Sequence, residues 1–144
     1  VLSLTHYYCR RFIQQKKGGI IFLSSVVAFQ GVPYAAHYAA TKAYIQSFAE
    51  ALARELKPSG IDVLAAAPGP VESGFGQRAN MNMGKALQPS EIGVPMLKAL
   101  GRTTNVYPGL LSKILVYALR TVPRRARVSI MQKVMGGFTQ HQRL

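Results

Sequence analysis

The sequence predicts an α/β fold built on parallel strands, and three segments predict it. Residues 20–23 are a short, unbroken apolar run and residues 61–67 an apolar segment of strand length interrupted only by Asp62, and between them residues 35–56 have the composition and spacing of a long helix. Strand, helix and strand in that order form a parallel crossover unit, whose two strands share one sheet.

Each element follows from its residues. Over residues 1–15 the pattern is helical, with Leu2, Leu4, Tyr8, Phe12 and Ile13 as its apolar face. The run Ile20, Ile21, Phe22, Leu23 leaves no side for water, so it reads as a strand buried on both faces, ended by Ser24 and Ser25. In the long helix Ala39, Ala43, Ile45, Phe48, Ala49 and Leu52 point inward, with Glu50, Arg54, Glu55 and Lys57 outside; Pro58, Ser59 and Gly60 stop it. A second buried strand, 61–67, runs into Pro68-Gly69-Pro70. Residues 73–88 are rich in glycine, asparagine and methionine, with Phe75, Met81, Met83 and Leu87 as apolar contributors and Gly74, Gly76 and Gly84 as points of hinge motion. Pro89-Ser90-Glu91 then starts a helix to about Leu100, with Ser90 as its cap.

The last third is basic. Residues 101–144 carry eight Lys or Arg and no acid, out of a net charge of +13 for the 144-residue chain. Leu111, Ile114, Leu115, Ala118, Leu119 and Val122 predict an apolar stripe, with Lys113, Tyr117 and Arg120 opposite; beyond Pro123 a second helix runs through Ile130, Met131, Val134 and Met135. Arg124, Arg125 and Arg127 fall near the amino end of that helix, where positive charge opposes the helix dipole, so helix stability does not explain them. Such a hairpin reads as a membrane-surface anchor, as a lid over an apolar substrate, or as a helix pair packed on the body with a solvated basic face.

Three residues carry the chemistry. Tyr38 and Lys42, four apart on one helix, present a phenol and an ammonium on the same face, and Ser25 at the end of the preceding strand reaches the same point. Together they supply a proton donor, a charge that tunes it and a group that polarises an oxygen, which suits carbonyl–alcohol redox chemistry. An ammonium ~6 Å from the phenolic oxygen, at an effective dielectric of ~20, contributes about 2.8 kcal/mol. That is about two pKa units, enough to bring Tyr38 from ~10 to the neighbourhood of 8. Singly, each residue also has an ordinary structural role: Ser25 as a cap, Tyr38 as a core tyrosine and Lys42 on a solvated helix face.

The motifs S-S-x-x-A from Ser24, Y-x-x-x-K from Tyr38 and P-G-P-V-E-S from Pro68, in this order, resemble the short-chain dehydrogenases/reductases over about residues 1–109. Ser25 precedes Tyr38 by thirteen positions, the family spacing, and is preferred to Ser24 on that ground. The resemblance implies the carboxyl-terminal strands and helices of a Rossmann-like, doubly wound parallel sheet, with 110–144 as a basic amphipathic helical extension. It also implies a hydride exchanged between NAD or NADP and a carbonyl or alcohol substrate. Tyr38 is then the proton donor, Ser25 the group that orients the reacting oxygen, and Lys42 a holder of the nicotinamide ribose. Pro68, Gly69 and Val71 form the loop beneath the nicotinamide, and Ser73, where the family usually has threonine, contacts its carboxamide. Residues 73–88 close over substrate and 105–107 form the last strand of the sheet. The tail is similar to extensions in members acting on acyl or steroid-like ketones, and pairing of the long helix across a two-fold axis implies a homodimer or tetramer.

The family's glycine-rich phosphate loop has no counterpart in this sequence. G-F-G-Q-R-A at 74–79 imitates it, but follows a Pro-Gly-Pro loop where the fingerprint needs a strand before and a helix after. The expectation is a carboxyl-terminal portion of a longer reductase, with an unpaired sheet edge at residues 20–23 and no turnover on its own.

Other classes are weighed on the same residues. No apolar run approaches the ~18 residues of a membrane-spanning helix. Cys9 is the single cysteine, which suits a reducing, cytoplasmic setting with at most peripheral membrane contact. His6, His37 and His141 lack metal-ligand spacing, so no metal is expected. The net charge raises nucleic-acid binding, but it lies on an apolar-striped tail without aromatic interleaving, so no nucleic-acid partner is expected. A non-catalytic module that keeps the fold and binds a membrane or a partner remains the alternative to an oxidoreductase.

Overall fold

The computed structural model describes residues 1–142; Arg143 and Leu144, the end of the predicted extension, lie outside the described residues. Helix α1 (Leu2–Gln15) leads into strand β1 (Gly18–Leu23), a 3-10 turn at Val26–Phe29 and the long helix α2 (Ala36–Leu56). Strand β2 (Ile61–Ala66), a short α3 (Phe75–Arg78), helix α4 (Pro89–Ala99) and strand β3 (Asn105–Val106) follow, then α5 (Leu110–Arg120), α6 (Arg124–Phe138) and a 3-10 turn at Gln140–Gln142.

The three strands form one parallel sheet in the order β1-β2-β3. Gly18 pairs with Ile61 and Leu23 with Ala66, and Ala65 and Ala66 pair with Asn105 and Val106. Side chains alternate across a strand. Ile61, Val63 and Ala65 therefore face one side, where they join Phe22, Cys9, Ala49, Ala53 and Leu56 in one core cluster. Gly19 looks the other way, towards Leu100 at the end of α4. Helices α1 and α2 thus cover one face of the sheet and α4 the other, the doubly wound arrangement expected from the sequence.

The central strand is buried throughout apart from Asp62. The first strand departs from expectation: of its six residues only Phe22 is buried, and Leu23 is 53% exposed. The reason is position. β1 pairs with β2 alone among the described residues, so it is the unpaired edge anticipated for this segment.

The turn between α2 and β2 explains one glycine. Gly60 sits at φ +75°, and a Cβ there would lie 2.6 Å from the Lys16 carbonyl oxygen, so the end of α1 and this turn meet only at a glycine. Lys16, itself left-handed, closes α1 by donating its N–H to the Ile13 carbonyl at 3.2 Å.

Two helix faces and one cap differ from the predicted ones. In α1 the buried residues are Thr5 and Cys9, with Phe12 packed beside them, while Leu2, Leu4, Tyr8 and Ile13 are exposed. The i, i+4, i+7 stripe turned to the sheet includes a threonine, which hides its hydroxyl proton on the Val1 carbonyl at 3.1 Å. Helix α4 starts at Pro89 as expected, but its cap is Gln88 and not Ser90; Gln88 donates its N–H to the Glu91 carboxylate at 2.7 Å. In α5 the buried face is Ser112, Val116 and Leu119, leaving Leu111, Ile114 and Ala118 of the predicted stripe exposed.

A second core cluster lies beyond the carboxyl ends of the strands. Val26, Val27, Val32, Ala35, Ala39, Ala67 and Tyr107 meet Val116 and Leu119 of α5 and Met131 and Met135 of α6. Arg127 turns back to donate to the Val122 carbonyl at 2.8 Å, satisfying an acceptor left at the end of α5.

Candidate active site

Where the strands end, their backbone carbonyls and loops build a pocket, the usual place for a ligand in an open parallel sheet. The cavity, of about 590 Å³, is lined by Ser25, Tyr38, Lys42, Pro68, Gly69, Val71 and Ser73, every residue that the sequence nominates. These come from three separate stretches brought together by the parallel pairing of β1 and β2.

Ser25 is held at the end of β1 by the backbone. Ser24 donates its N–H to the Ala66 carbonyl at 2.8 Å and Val26 donates to the Pro68 carbonyl at 3.1 Å, so the chain after β1 stays alongside the chain after β2. The Ser25 hydroxyl accepts the Val27 N–H at 3.4 Å and lies 3.5 Å from the Pro68 carbonyl. It caps the 3-10 turn and also interacts with Tyr38, so the capping role does not withdraw it from the pocket.

Helix α2 presents the other two groups. The Lys42 ammonium donates to the Leu23 carbonyl at 2.8 Å and lies 5.7 Å from the centre of the Tyr38 ring. Ser24 donates to the Lys42 carbonyl at 3.1 Å, fixing the helix against the strand end. Phe75 rests on the Tyr38 ring with centroids 5.1 Å apart, walling it from one side.

The electrostatics correct one expectation. Tyr38 does not fall towards 8; burial, which disfavours the phenolate, pushes it above the usual tyrosine value, and a hydrogen bond with Ser25 only partly offsets this. Burial likewise lowers Lys42 below the usual lysine value. Both groups are half-buried, and their desolvation outweighs the ammonium–phenol attraction expected from the sequence.

The loop after β2 is pinned from an unexpected quarter. Gly69 donates its N–H to the Ser112 hydroxyl at 2.8 Å, and Ser112, on α5, is almost wholly buried. A Cβ on Gly69 would fall 3.0 Å from that oxygen. Leu87 donates to the Pro70 carbonyl at 3.0 Å and Glu72 to the Leu87 carbonyl at 2.9 Å, so residues 70–72 are braced by a short parallel bridge.

The distal wall is apolar and draws on both stretches that the sequence raised as covers over substrate, residues 73–88 and the tail. Met81 and Met83, Ile92 of α4, Leu111 and Leu115 of α5, and Met131, Val134, Met135 and Phe138 of α6 line it. The last four are spaced i, i+3, i+4, i+7, and Phe138 is the one that the sequence reading did not name. Asn82 donates its N–H to the Phe138 carbonyl at 2.9 Å and the Asn80 side chain meets His141 Nε2 at 3.2 Å, so the 79–83 loop and the end of the tail close on each other.

Residues 1–84 match the family model of the short chain dehydrogenases. The chain is 33% identical over 98 residues to the peroxisomal 2,4-dienoyl-CoA reductase of Saccharomyces cerevisiae, an alignment covering 68% of this chain and 33% of the relative. A chain solved in work on 7β-hydroxysteroid dehydrogenase stereoselectivity superposes with a TM-score of 0.78 at 28% identity, over 90% of this chain and 52% of that one. A short-chain dehydrogenase from Sphingobium yanoikuyae, solved with NADPH, gives a TM-score of 0.69 at 28% identity, over 89% and 50% of the two chains. The chain therefore spans about a third of the yeast reductase and about half of each solved chain.

Proposed function

The chain belongs to the short chain dehydrogenase family, and on that premise we propose that its pocket is the catalytic half of an NAD- or NADP-dependent oxidoreductase acting on a bulky apolar ketone or alcohol. One observation carries this reading: a hydroxyl, a phenol and an amine from two elements line the same cavity as the Pro-Gly-Pro loop. The residues fit the nicotinamide end of a dinucleotide. Lys42 spends one of its three protons on the Leu23 carbonyl, leaving two for a ribose, while Pro68, Gly69, Val71 and Ser73 line the adjoining wall. The dinucleotide, when bound, supplies or accepts the hydride.

The chain's own residues handle the proton and the position. In the reducing direction the Tyr38 hydroxyl gives its proton to the carbonyl oxygen as that oxygen gains charge; in the oxidising direction the phenolate takes the alcohol proton. Ser25, beside Tyr38, donates a hydrogen bond to the same oxygen and fixes its orientation. Tyr38 holds its proton at neutral pH, as a donor must, but burial makes it a weaker acid, so the Ser25 hydrogen bond, which lowers its pKa, helps the transfer. Phe75, Met81, Met83 and the tail helices exclude water, and an acyl or steroid-like ketone matches their apolar lining.

Dinucleotide oxidation with a panel of bulky ketones tests the proposal in the protein expressed from its complete reading frame. Tyr38→Phe should lower kcat by about 10²–10⁴-fold while dinucleotide binding is kept. Unchanged turnover in that variant removes Tyr38 as the proton donor.

A further inference from the structure

Helix α5 is apolar on two opposite sides. Ser112, Val116 and Leu119 face the core, yet on the outside Leu110 is 75% exposed, Ile114 53% and Tyr117 57%, at the i, i+4, i+7 spacing of a single face. Leu111, 56% exposed, and Ala118 continue that face. A helix of a water-bounded surface keeps its outer side polar, and contiguous exposed apolar residues rimmed by charge mark an interaction site.

The rim is of one sign. Lys113 flanks the face and is exposed. Arg120, 5.7 Å from the centre of the Tyr117 ring, also flanks it. Exposed Arg124 and Arg125 follow at the turn into α6. Residues 101–144 contain no Asp or Glu to neutralise them. Leu111 also lines the substrate cavity, so the cavity rim and this face share a residue.

We propose that the outer face of α5 docks on an anionic lipid surface, with Leu110, Ile114 and Tyr117 entering the headgroup–acyl boundary and Lys113, Arg124 and Arg125 meeting lipid phosphates and carboxylates. The two attractions add: apolar burial holds the helix in the interface and basic residues near the surface supply the electrostatic part. A second copy of this chain is the less suited occupant, since the same basic rim would face itself. Docking in this pose sets the mouth of the cavity, at Leu111, against the bilayer, where an apolar substrate partitions. The docking itself does not rest on the redox reading, because it is measured without substrate.

Co-sedimentation of the full chain with phosphatidylcholine vesicles, with and without phosphatidylserine, is the test. Binding is expected with the serine lipid only, and should fall with added salt. Leu110→Ser/Ile114→Ser, which alters exposed positions outside the cavity lining, should weaken it about tenfold or more, as should Arg124→Glu/Arg125→Glu, with far-ultraviolet dichroism unchanged. Failure to sediment with anionic vesicles overturns the proposal, and so does equal binding by the apolar double variant. Equilibrium sedimentation of the same variants completes it: a dimer lost in Leu110→Ser/Ile114→Ser, with vesicle binding unaffected, assigns the face to self-association instead.

Discussion

Gly69 donates its backbone N–H to the Ser112 hydroxyl at 2.8 Å, and through that bond the tail holds the loop that lines one cavity with Ser25, Tyr38 and Lys42. The two residues lie 43 positions apart, and Ser112 is only 1% exposed. Helix α5 thus has two sides, an exposed apolar face outward and, inward, a buried hydroxyl that positions the candidate dinucleotide loop.

Ser112→Ala leaves the Gly69 N–H without its acceptor, a loss of about 1–3 kcal/mol where the site is dry. The expected outcome is a lower urea midpoint together with a weaker nicotinamide affinity, because the loop that lines the pocket is released. Ser112→Thr keeps the hydroxyl and should recover both. Gly69→Ala brings a Cβ to 3.0 Å from the same oxygen and should mimic the alanine variant. Unaltered dinucleotide titrations across this set would show that the bond holds only the fold.

Ser25→Ala gives a signed pH prediction. Burial raises the Tyr38 pKa and the Ser25 hydrogen bond lowers it, so removing the hydroxyl leaves the raising cause alone. In the oxidising direction the phenolate is the working form in the proposed mechanism, and the ascending limb of kcat against pH should move to higher pH. Reduction, which uses the neutral phenol, should keep its rate to higher pH than in the parent. A limb that stays in place breaks the proposed link between the two residues.

The same shift bears on stability. Tyr38 and Tyr107 both have folded-state pKa values above the usual ~10, chiefly through burial. Their contribution is therefore complete below ~10 and lost as pH climbs through the folded values, because only the unfolded chain ionises freely in that window. Alkaline unfolding followed by phenolate absorbance should show these two rings titrating with the transition, and Tyr38→Phe should lessen the steepness.

What the sequence revealed and what it hid divide along physical lines. Periodicity over residues 35–56 and the two apolar runs located α2 and the strand pair, since these patterns are local. The nominated residues Ser25, Tyr38 and Lys42 fell together because a parallel crossover leaves strand ends and the following helix at one edge of the sheet. Hidden were the properties set by partners. Leu23 reads as core until its neighbour strand is counted, and Leu4 and Tyr8 read as the inner face of α1 until Thr5 and Cys9 are seen to occupy it. Ser112 carried no signal at all: a serine inside an apolar helix announces neither burial nor a partner 43 positions away.

Gly137 offers a test of the tail by itself. It lies inside α6, and a Cβ there meets nothing within 4 Å. Alanine should then stabilise the helix by about 0.5–1 kcal/mol, through the lost freedom of the unfolded chain. Thermal unfolding with a higher midpoint is expected. A lower midpoint would mean that α6 bends at Gly136-Gly137 in a way the packed helix does not show.

Val134 decides whether the tail selects substrate. It lines the cavity yet is 37% exposed, whereas its neighbour Met135 is buried in the core shared by α2, α5 and α6. Met135→Ala therefore confounds specificity with a loss of about 2–5 kcal/mol. Val134→Trp adds bulk to the cavity wall from a position where stability is affected little, and the apolar space facing Tyr38 shrinks. KM for the bulkiest ketones should rise about tenfold or more while that for small ketones stays within about twofold, as expected when a pocket wall sets size. Equal changes across the panel would place substrate on the Met81 and Met83 side instead, leaving α6 as cover and not as a gauge.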